Sequence, residues 1–352
     1  MEGIITPDRI RLFAEMIERA DKITVVTHTR PDGDAVGSAV ALSCFLRSVY
    51  GKDSAVAVAN AWSSSLDFIF DDEDRKSVYR YDIDKEKTEG RLEGSDFVIC
   101  IDCNGFDRTE TLQQVLEASV VEKALIDHHL NPHTEDFGVW FSTPGISSAC
   151  ELLYWVLMAM PGIDGETSRI PVHSLEALMA GMTTDTNNFA NSVWPSTLMM
   201  SSQMLAAGVD RDRILSELYN RYRENRLRMI GYALYTKMVV MPEGLAYIIL
   251  SADELESMDI MEGELEGLVN MPLGMDKVRM SLLMKEDDGY FRVSVRSKAG
   301  TSANRFASAY FNGGGHELAS GGRLYFPRDI ADSSMAEGYV RAKAEEFFRE
   351  GR

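Results

Sequence analysis

Three short apolar runs in this chain each end on a cluster of the same chemistry. ITVV (23–26) runs into His28, Asp32 and Asp34; FVIC (97–100) runs into Asp102; KALI (123–126) runs into Asp127, His128 and His129. Such runs, set between helical patterns and bounded by polar residues, are the strands of a parallel sheet covered on both faces. Open parallel sheets bind ligands just beyond the carboxyl ends of their strands. Residues a hundred positions apart are therefore expected in one crevice. Asp185, in MTTDTNNF after an apolar helix, is expected to join them.

The rest of the pattern agrees. Thr6-Pro7 caps a helix with Ile10, Phe13, Ile17 and Ala20 on one face. A helix is predicted over 35–50, ended by Gly51, with strands at 22–27, 55–58, 95–101 and 123–126 and a helix over about 109–119. Ser148-x-x-Glu151 reads as a capping box opening a helix, and LEALMAGM (175–182) as a nearly all-apolar one. From 196 to 237 the pattern is helical and charged, read as connecting helices. Beyond it, VRMSLLMK and YFRVSVRS flank EDDG as a hairpin, followed by a helix over 303–311, the loop NGGGH, the strand RLYFP and a last helix. The fold class is α/β: a parallel-sheet catalytic domain over 1–200, a helical linker over 201–237, and a smaller α+β domain over 238–352 that binds substrate.

Composition removes several function classes. With 55 acidic and 36 basic residues, net charge −19, the chain is unsuited to coating long duplex nucleic acid, whose affinity comes from phosphate neutralisation. A small anionic substrate held by metal ions escapes that objection. Four cysteines are too few for a disulfide framework, and Cys100-Ile-Asp-Cys103 sits inside an apolar run, which suits buried thiols. No run has the length of a membrane helix and the start lacks a signal-peptide layout, so the expected address is the cytoplasm.

Taken singly, Asp-Gly-Asp is a solvated turn and His-His a surface pair. Jointly, three of six histidines and five aspartates fall at strand ends or just past an apolar helix. Uncompensated acids crowded together raise one another's pKa, and divalent cations remove that cost. Carboxylates with a minority of imidazoles and no thiolate suit Mn²⁺ first and Mg²⁺ second. The set exceeds one ion's usual share, and two ions roughly 3.5–4 Å apart can stabilise the attacking and leaving oxygens of phosphoryl transfer. No Walker loop or G-x-S-x-G elbow competes with this reading. In the smaller domain, residues 291–323 hold five bases and one acid. There Arg296, the backbone of Gly313, Gly314 and Gly315 as an anion nest, and His316 are candidate phosphate or nucleotide contacts. Arg305 is a weaker one.

HTRPDGDAVGS, VICIDCN, LIDHH and TTDTNNF resemble the four signature segments of the DHH phosphoesterase superfamily, in the family's order, and SVRSK and FNGGGHELASGG resemble its DHH-associated C-terminal domain. They are similar to its stand-alone oligoribonucleases that also dephosphorylate 3′-phosphoadenosine 5′-phosphate, a RecJ-related group. The resemblance implies one metal on His28, Asp32 and Asp102 and another on Asp34, Asp102, His128 and Asp185, with Asp102 bridging and catalytic. It implies that His129 faces the substrate phosphate as a catalytic group, that Asp127 orients an imidazole, and that Arg108 neutralises phosphate. Arg30, Asn187 and Ser320 stand where the family commonly has asparagine, glycine and alanine; none removes a ligand.

The expected function is metal-dependent hydrolysis of short RNA or DNA oligonucleotides to mononucleotides, with 3′-phosphoadenosine 5′-phosphate as a related substrate. The alternative within that chemistry is a cyclic or linear dinucleotide phosphodiesterase. A family II pyrophosphatase shares the catalytic motifs but not GGGH. A non-catalytic nucleotide-binding sensor is disfavoured by the intact ligand set. Homodimers are common among such relatives, and no motif here encodes one.

Overall fold

The computed structural model describes residues 3–349 and 351 and divides into two compact units, Met1–Arg221 and Tyr222–Arg352. In the first, chain order runs α1 (Pro7–Arg19), β1 (Lys22–Val26), α2 (Gly33–Tyr50), β2 (Asp53–Val58), α3 (Asp72–Lys76), β3 (Val78–Arg80), α4 (Lys85–Glu93) and β4 (Phe97–Ile101). It continues through α5 (Gln113–Ala118), β5 (Glu122–Asp127), β6 (Val139–Ser142), α6 (Ala149–Met158), α7 (Val172–Asp185), α8 (Pro195–Ala206) and α9 (Arg211–Tyr219). All six strands are parallel, in the order β3-β2-β1-β4-β5-β6. The order reverses between β1 and β4, so connections leave those neighbours in opposite directions and open a crevice at their carboxyl ends.

Strand alternation distributes the sheet's side chains between two cores. Ile23, Val25, Phe97, Ile99 and Ile126 enter one; Val26, Val98, Cys100 and Leu125 enter the other. Both faces are covered, which is why the strands read as unbroken apolar runs. All four cysteines are buried and free.

Helix α2 is buried at every residue from 33 to 46, because it lies between the sheet and α7. Glycines permit that approach. A Cβ on Gly37 would meet the Ala177 carbonyl at 2.6 Å, and one on Gly181 the Gly33 carbonyl at 2.8 Å. Both helices carry a site aspartate at one end, so this contact sets where Asp34 and Asp185 stand.

The second unit begins with α10 (Glu224–Tyr232), then β7 (Val239–Val240), β8 (Leu245–Leu250), α11 (Ala252–Ser257), β9 (Met280–Asp287), β10 (Tyr290–Ser297), α12 (Ala303–Tyr310), β11 (Gly314–Gly315), β12 (Ala319–Tyr325) and α13 (Ala336–Arg349). Its mixed sheet has the order β11-β12-β10-β9-β8-β7, with only β8 and β9 parallel. The hairpin β9–β10 turns at Asp288-Gly289. Phe291, Val293 and Val295 are buried, whereas Arg292, Ser294 and Arg296 on the opposite face are half-buried.

Three local expectations change. The segment 201–237 is no separate linker body: α8 and α9 place Met200, Met204, Ile214 and Leu218 in the first unit's core, and α10 places Met229 in the second's. Charge on the outer faces of α9 and α10 hides their narrow apolar stripes in sequence. The helix over 109–119 is split. A 3₁₀ turn over Phe106–Leu112 is broken at Glu110 (φ 45°, ψ −102°), and α5 is only six residues long. The capping box is half made. Ser148 Oγ accepts from Glu151 N–H at 3.0 Å, but the Glu151 carboxylate serves Ser147 N–H and the Thr197 hydroxyl instead.

Gly37→Ala should destabilise the protein by about 1–3 kcal/mol, since neither helix backbone can yield without shifting a site aspartate. Gly90→Ala in α4, where a Cβ meets nothing within 4 Å, should instead stabilise by about 0.5–1 kcal/mol. Denaturant unfolding of the two variants checks the contrast.

Candidate functional site

The crevice at the β1/β4 switch point collects the residues singled out in sequence. His28 follows β1, and its Nδ1–H donates to the Thr29 carbonyl at 2.8 Å, which leaves Nε2 as the inward donor atom. Asp32 caps α2 through Oδ1, accepting from Asp34 N–H (3.0 Å) and Ala35 N–H (3.1 Å). Asp34, in the first turn of α2, is buried; its two oxygens accept from Ala149 N–H (2.6 Å) and Cys150 N–H (2.9 Å) at the start of α6. Those amides hold the carboxylate as an N-terminal helix charge.

Asp102 is the first residue past β4, at φ 56°, with its N–H on the Ile126 carbonyl. Its oxygens face different imidazoles. Oδ2 is 3.6 Å from His28 Nε2, and Oδ1 is 3.4 Å from His128 Nε2. His128 Nε2 is also 3.7 Å from Asp34 Oδ2 and 3.9 Å from Asp185 Oδ2, and His28 Nε2 is 3.9 Å from Asp32 Oδ1. These separations exceed hydrogen-bond lengths. They fall between the roughly 3.0 and 4.2 Å spacings of adjacent and opposite ligands on an octahedral ion with ~2.1 Å bonds. His28, Asp32 and Asp102 form one such group, and Asp34, His128 and Asp185 a second beside Asp102. Asp102 Oδ1 is buried with no hydrogen-bond partner, an orphan that a cation would satisfy.

The electrostatics favour the same occupant. Burial opposes charge on His28 and His128, yet Asp102 outweighs it and pushes the imidazoles up to about 9 and about 10. Burial, reinforced by neighbouring carboxylates, pushes Asp34 up to about 6 and Asp185 up to about 8. Asp102 moves the other way: burial resists ionisation, but His128 and His28 hold its carboxyl far below the carboxylate range. Left to protein groups alone, the crevice gathers protons to balance its carboxylates. A divalent cation competes with those protons, so its affinity rises with pH.

His129 also stands at ligand spacing from Asp102 and His128, but its ring nitrogens are held by other side chains. Asp127, fully buried, accepts from its Nδ1–H at 2.8 Å and its backbone N–H at 3.1 Å. Arg108 donates to Nε2 at 2.9 Å, which fixes the neutral tautomer with the proton on Nδ1. Both ring nitrogens are engaged, although Nδ1 is only 3.6 Å from Asp102. A further acid–imidazole group, Asp71, Asp74 and His173, also has ligand spacing, but Arg47 and His173 already bond the Asp74 carboxylate.

Sequence reasoning missed the supports. The α6 amides lie 115 residues from Asp34, and only the Ser148 cap hinted that a helix begins there. Asn60, after β2, accepts from Arg30 N–H and the Thr29 hydroxyl and pins the His28–Asp32 loop. Asn187 has φ 46°, followed by Asn188 at 55° and Phe189 at 66°, a left-handed turn anchored by the buried Thr186. Glycine would suit that turn, and asparagine is the side chain that tolerates it best.

In the second unit, the half-buried Arg296 guanidinium bonds only carbonyls, Val295 at 3.0 Å and Ser320 at 3.4 Å, and no carboxylate among the described residues pairs with it. His316 is exposed in the turn to β12. Gly313 and Gly315 have a packing reason: a Cβ would strike the Gly321 carbonyl at 1.9 Å and the Ala319 carbonyl at 2.8 Å. Gly314 pairs with Gly321 in the sheet.

Asp102→Asn should weaken both cation sites while leaving the fold intact, as metal titration against the wild type measures. His128→Ala should remove one ion's worth of binding, and His129→Ala should retain metal content and lose turnover. A reversal of those two outcomes in metal analysis would exchange the residues' roles.

Comparisons with known proteins bear on the family and the fold. The model of the DHH family N-terminal domain matches residues 22–182, and that of the DHHA1 domain matches 245–333. The bifunctional oligoribonuclease and PAP phosphatase NrnA of Bacillus subtilis is 28% identical over 324 residues, covering 90% of this chain and 93% of its own. Its Thermus thermophilus namesake is 27% identical, covering 98% and 96%. The crystal structure of an exopolyphosphatase-related protein from Bacteroides fragilis superposes with TM-score 0.91 at 33% identity, over 100% of this chain and 99% of its own. Exonuclease RecJ bound to manganese shares the fold at TM-score 0.58 and 17% identity, over 98% and 96%. The chain belongs to the DHH family, with the family's N-terminal domain followed by a DHHA1 domain.

Proposed function

We propose that this chain is a metal-dependent phosphoesterase that hydrolyses short oligonucleotides to mononucleotides and dephosphorylates 3′-phosphoadenosine 5′-phosphate. The observation that carries the reading is Asp102, one buried carboxylate whose oxygens address two separate acid–imidazole groups. Relatives named as bifunctional oligoribonuclease and PAP phosphatase, aligned over nine-tenths of the chain, support the substrate class.

His28, Asp32 and Asp102 would hold one divalent cation, and Asp34, Asp102, His128 and Asp185 the other, with Mn²⁺ preferred over Mg²⁺ because two imidazoles are included. Bound cations supply Lewis-acid stabilisation of the phosphoryl oxygens and make water acidic enough to act near neutral pH. The protein's own groups do the rest. The α6 amides hold the Asp34 carboxylate in place; the Thr29 carbonyl orients the His28 ring with Nε2 inward. Asp127 holds His129, and Arg108 beside it brings positive charge to a substrate phosphate. Arg296 and His316, with the backbone of Gly313, Gly314 and Gly315, contribute affinity for a further part of the substrate. The proposed setting is the cytoplasm; no helix among the described residues is long and apolar enough to cross a membrane.

A panel of dinucleotides, longer RNA, cyclic dinucleotides and 3′-phosphoadenosine 5′-phosphate, ranked by kcat/KM with Mn²⁺, tests the substrate assignment. A cyclic dinucleotide at the head of the ranking would replace it, and metal-dependent binding without turnover would make the chain a sensor. Within the leading reading, Arg296→Ala should lower kcat/KM on dinucleotides by about ten- to a hundredfold, the worth of one charge-assisted contact. Hydrolysis of a minimal aryl phosphodiester should hardly change. Equal losses on both would assign Arg296 to the catalytic centre itself.

A further inference from the structure

We infer that Arg30 determines specificity by recognising a second phosphate of the substrate, one that is not cleaved. The inference rests on the phosphoesterase reading above and adds a residue to which the metal centre gives no role.

Arg30 sits in the short loop between His28 and Asp32, two residues from each. Its side chain is exposed, and no carboxylate among the described residues lies within ion-pair distance of it, although acids outnumber bases 55 to 36. The acid that this loop does touch, Glu110, is bonded by the Thr29 hydroxyl at 3.2 Å rather than by the guanidinium. An unpaired arginine beside a strongly acidic crevice is poised for an anion that arrives from solution.

The backbone points the same way. Arg30 has φ 51°, a region that suits glycine or asparagine and costs a long side chain about 1–2 kcal/mol. It also precedes Pro31, which further restricts it. The conformation is held by Asn60 Oδ1, which accepts from Arg30 N–H at 2.6 Å and from the Thr29 hydroxyl at 3.0 Å, and by Thr29 N–H on the Arg108 carbonyl at 2.9 Å. Two neighbouring segments are thus spent on fixing a loop whose tip carries a guanidinium. The same bonds that position the ligands on either side therefore also fix where the Arg30 side chain starts.

The ligand class follows from the chemistry. The scissile phosphate is engaged by the ligand cluster and its neighbours His129 and Arg108. A guanidinium carried on the loop between two ligands, and itself no ligand, is suited to the next anionic group along the molecule, and in a nucleotide chain that group is another phosphate. Planar, multiply donating and always charged, arginine suits it.

The test is the ratio of kcat/KM for 5′-phosphorylated diadenylate to that for diadenylate without the phosphate, in wild type, Arg30→Asn and Arg30→Lys. Asparagine tolerates the backbone, so the loop should persist; equal metal content in all three proteins checks this. Wild type should favour the phosphorylated dinucleotide by about tenfold or more. The ratio should fall toward one in Arg30→Asn, survive in part in Arg30→Lys, and shrink with added salt. A ratio near one in wild type, or the same ratio in Arg30→Asn as in wild type, overturns the inference. If wild type hydrolyses neither dinucleotide, the phosphoesterase reading fails. Equilibrium binding of the same two dinucleotides with Mn²⁺ then decides on Arg30: a preference lost in Arg30→Asn supports it, and an unchanged preference overturns it.

Discussion

Everything in the catalytic unit is arranged around one buried carboxylate shared by two imidazoles. Asp102 faces His28 through one oxygen and His128 through the other, and no hydrogen bond satisfies the second oxygen. Burying such a group is costly unless positive charge accompanies it. The histidines supply part of that charge by holding protons, and Asp34 and Asp185 give way by moving toward their neutral forms. This is a frustrated arrangement for protein groups by themselves. It becomes consistent when cations replace the protons, which is the physical content of calling it a metal centre.

The sheet makes the arrangement feasible. Because strand order reverses between β1 and β4, the loops after these strands diverge and leave room for ligands from both. β5 lies next to β4 and delivers Asp127, His128 and His129 alongside Asp102. Helices complete the set: α2 and α7 approach backbone to backbone through Gly37 and Gly181, so Asp34 and Asp185 are located by packing rather than by flexible loops. Left-handed residues at Arg30, Asp102, Asn104 and Asn187 then turn the chain ends sharply toward the crevice. Strain of this kind concentrates where geometry matters more than stability.

Much of this was legible in sequence. Apolar runs ending on His and Asp identify both the strands and the direction in which ligands emerge, because parallel sheets bind at their carboxyl ends. The hairpin around EDDG and the alternation Phe291, Val293, Val295 against Arg292, Ser294, Arg296 were equally readable, since a half-covered sheet writes its two faces into successive residues. What stayed hidden depends on tertiary partners. β8, LAYIIL, lacks alternation because Leu245 and Tyr247 enter one core while Ile248 and Leu250 enter another. The helix expected over 109–119 breaks where the Thr29 hydroxyl reaches Glu110, a contact 81 residues long that no local pattern encodes. The Asp34 clamp on α6 is of the same kind. The segment 201–237 looked like a linker because the charges of α9 and α10 are conspicuous and their buried apolar positions are few, Ile214, Leu218 and Met229.

Charge distribution joins the two levels. A chain of net charge −19 repels the anionic substrates proposed for it, so attraction has to be local. Most of its arginines are consumed in ion pairs, such as Arg47 with Asp74 and Arg91 with Asp53. Arg30, Arg108 and Arg296 form no ion pair among the described residues: the first is exposed beside the ligands, the second is bonded to His129, and the third is half-buried against carbonyls. A guanidinium half withdrawn from water without a carboxylate is costly, and burial accordingly lowers the pKa of Arg296. Arg296 is thus incomplete in the way the Asp102 cluster is incomplete, but with the opposite sign. Cations would complete the acidic cluster, and a phosphate would complete such an arginine. The field of the whole chain turns polyanions away, so an anion is drawn in only where local positive charge outweighs that field.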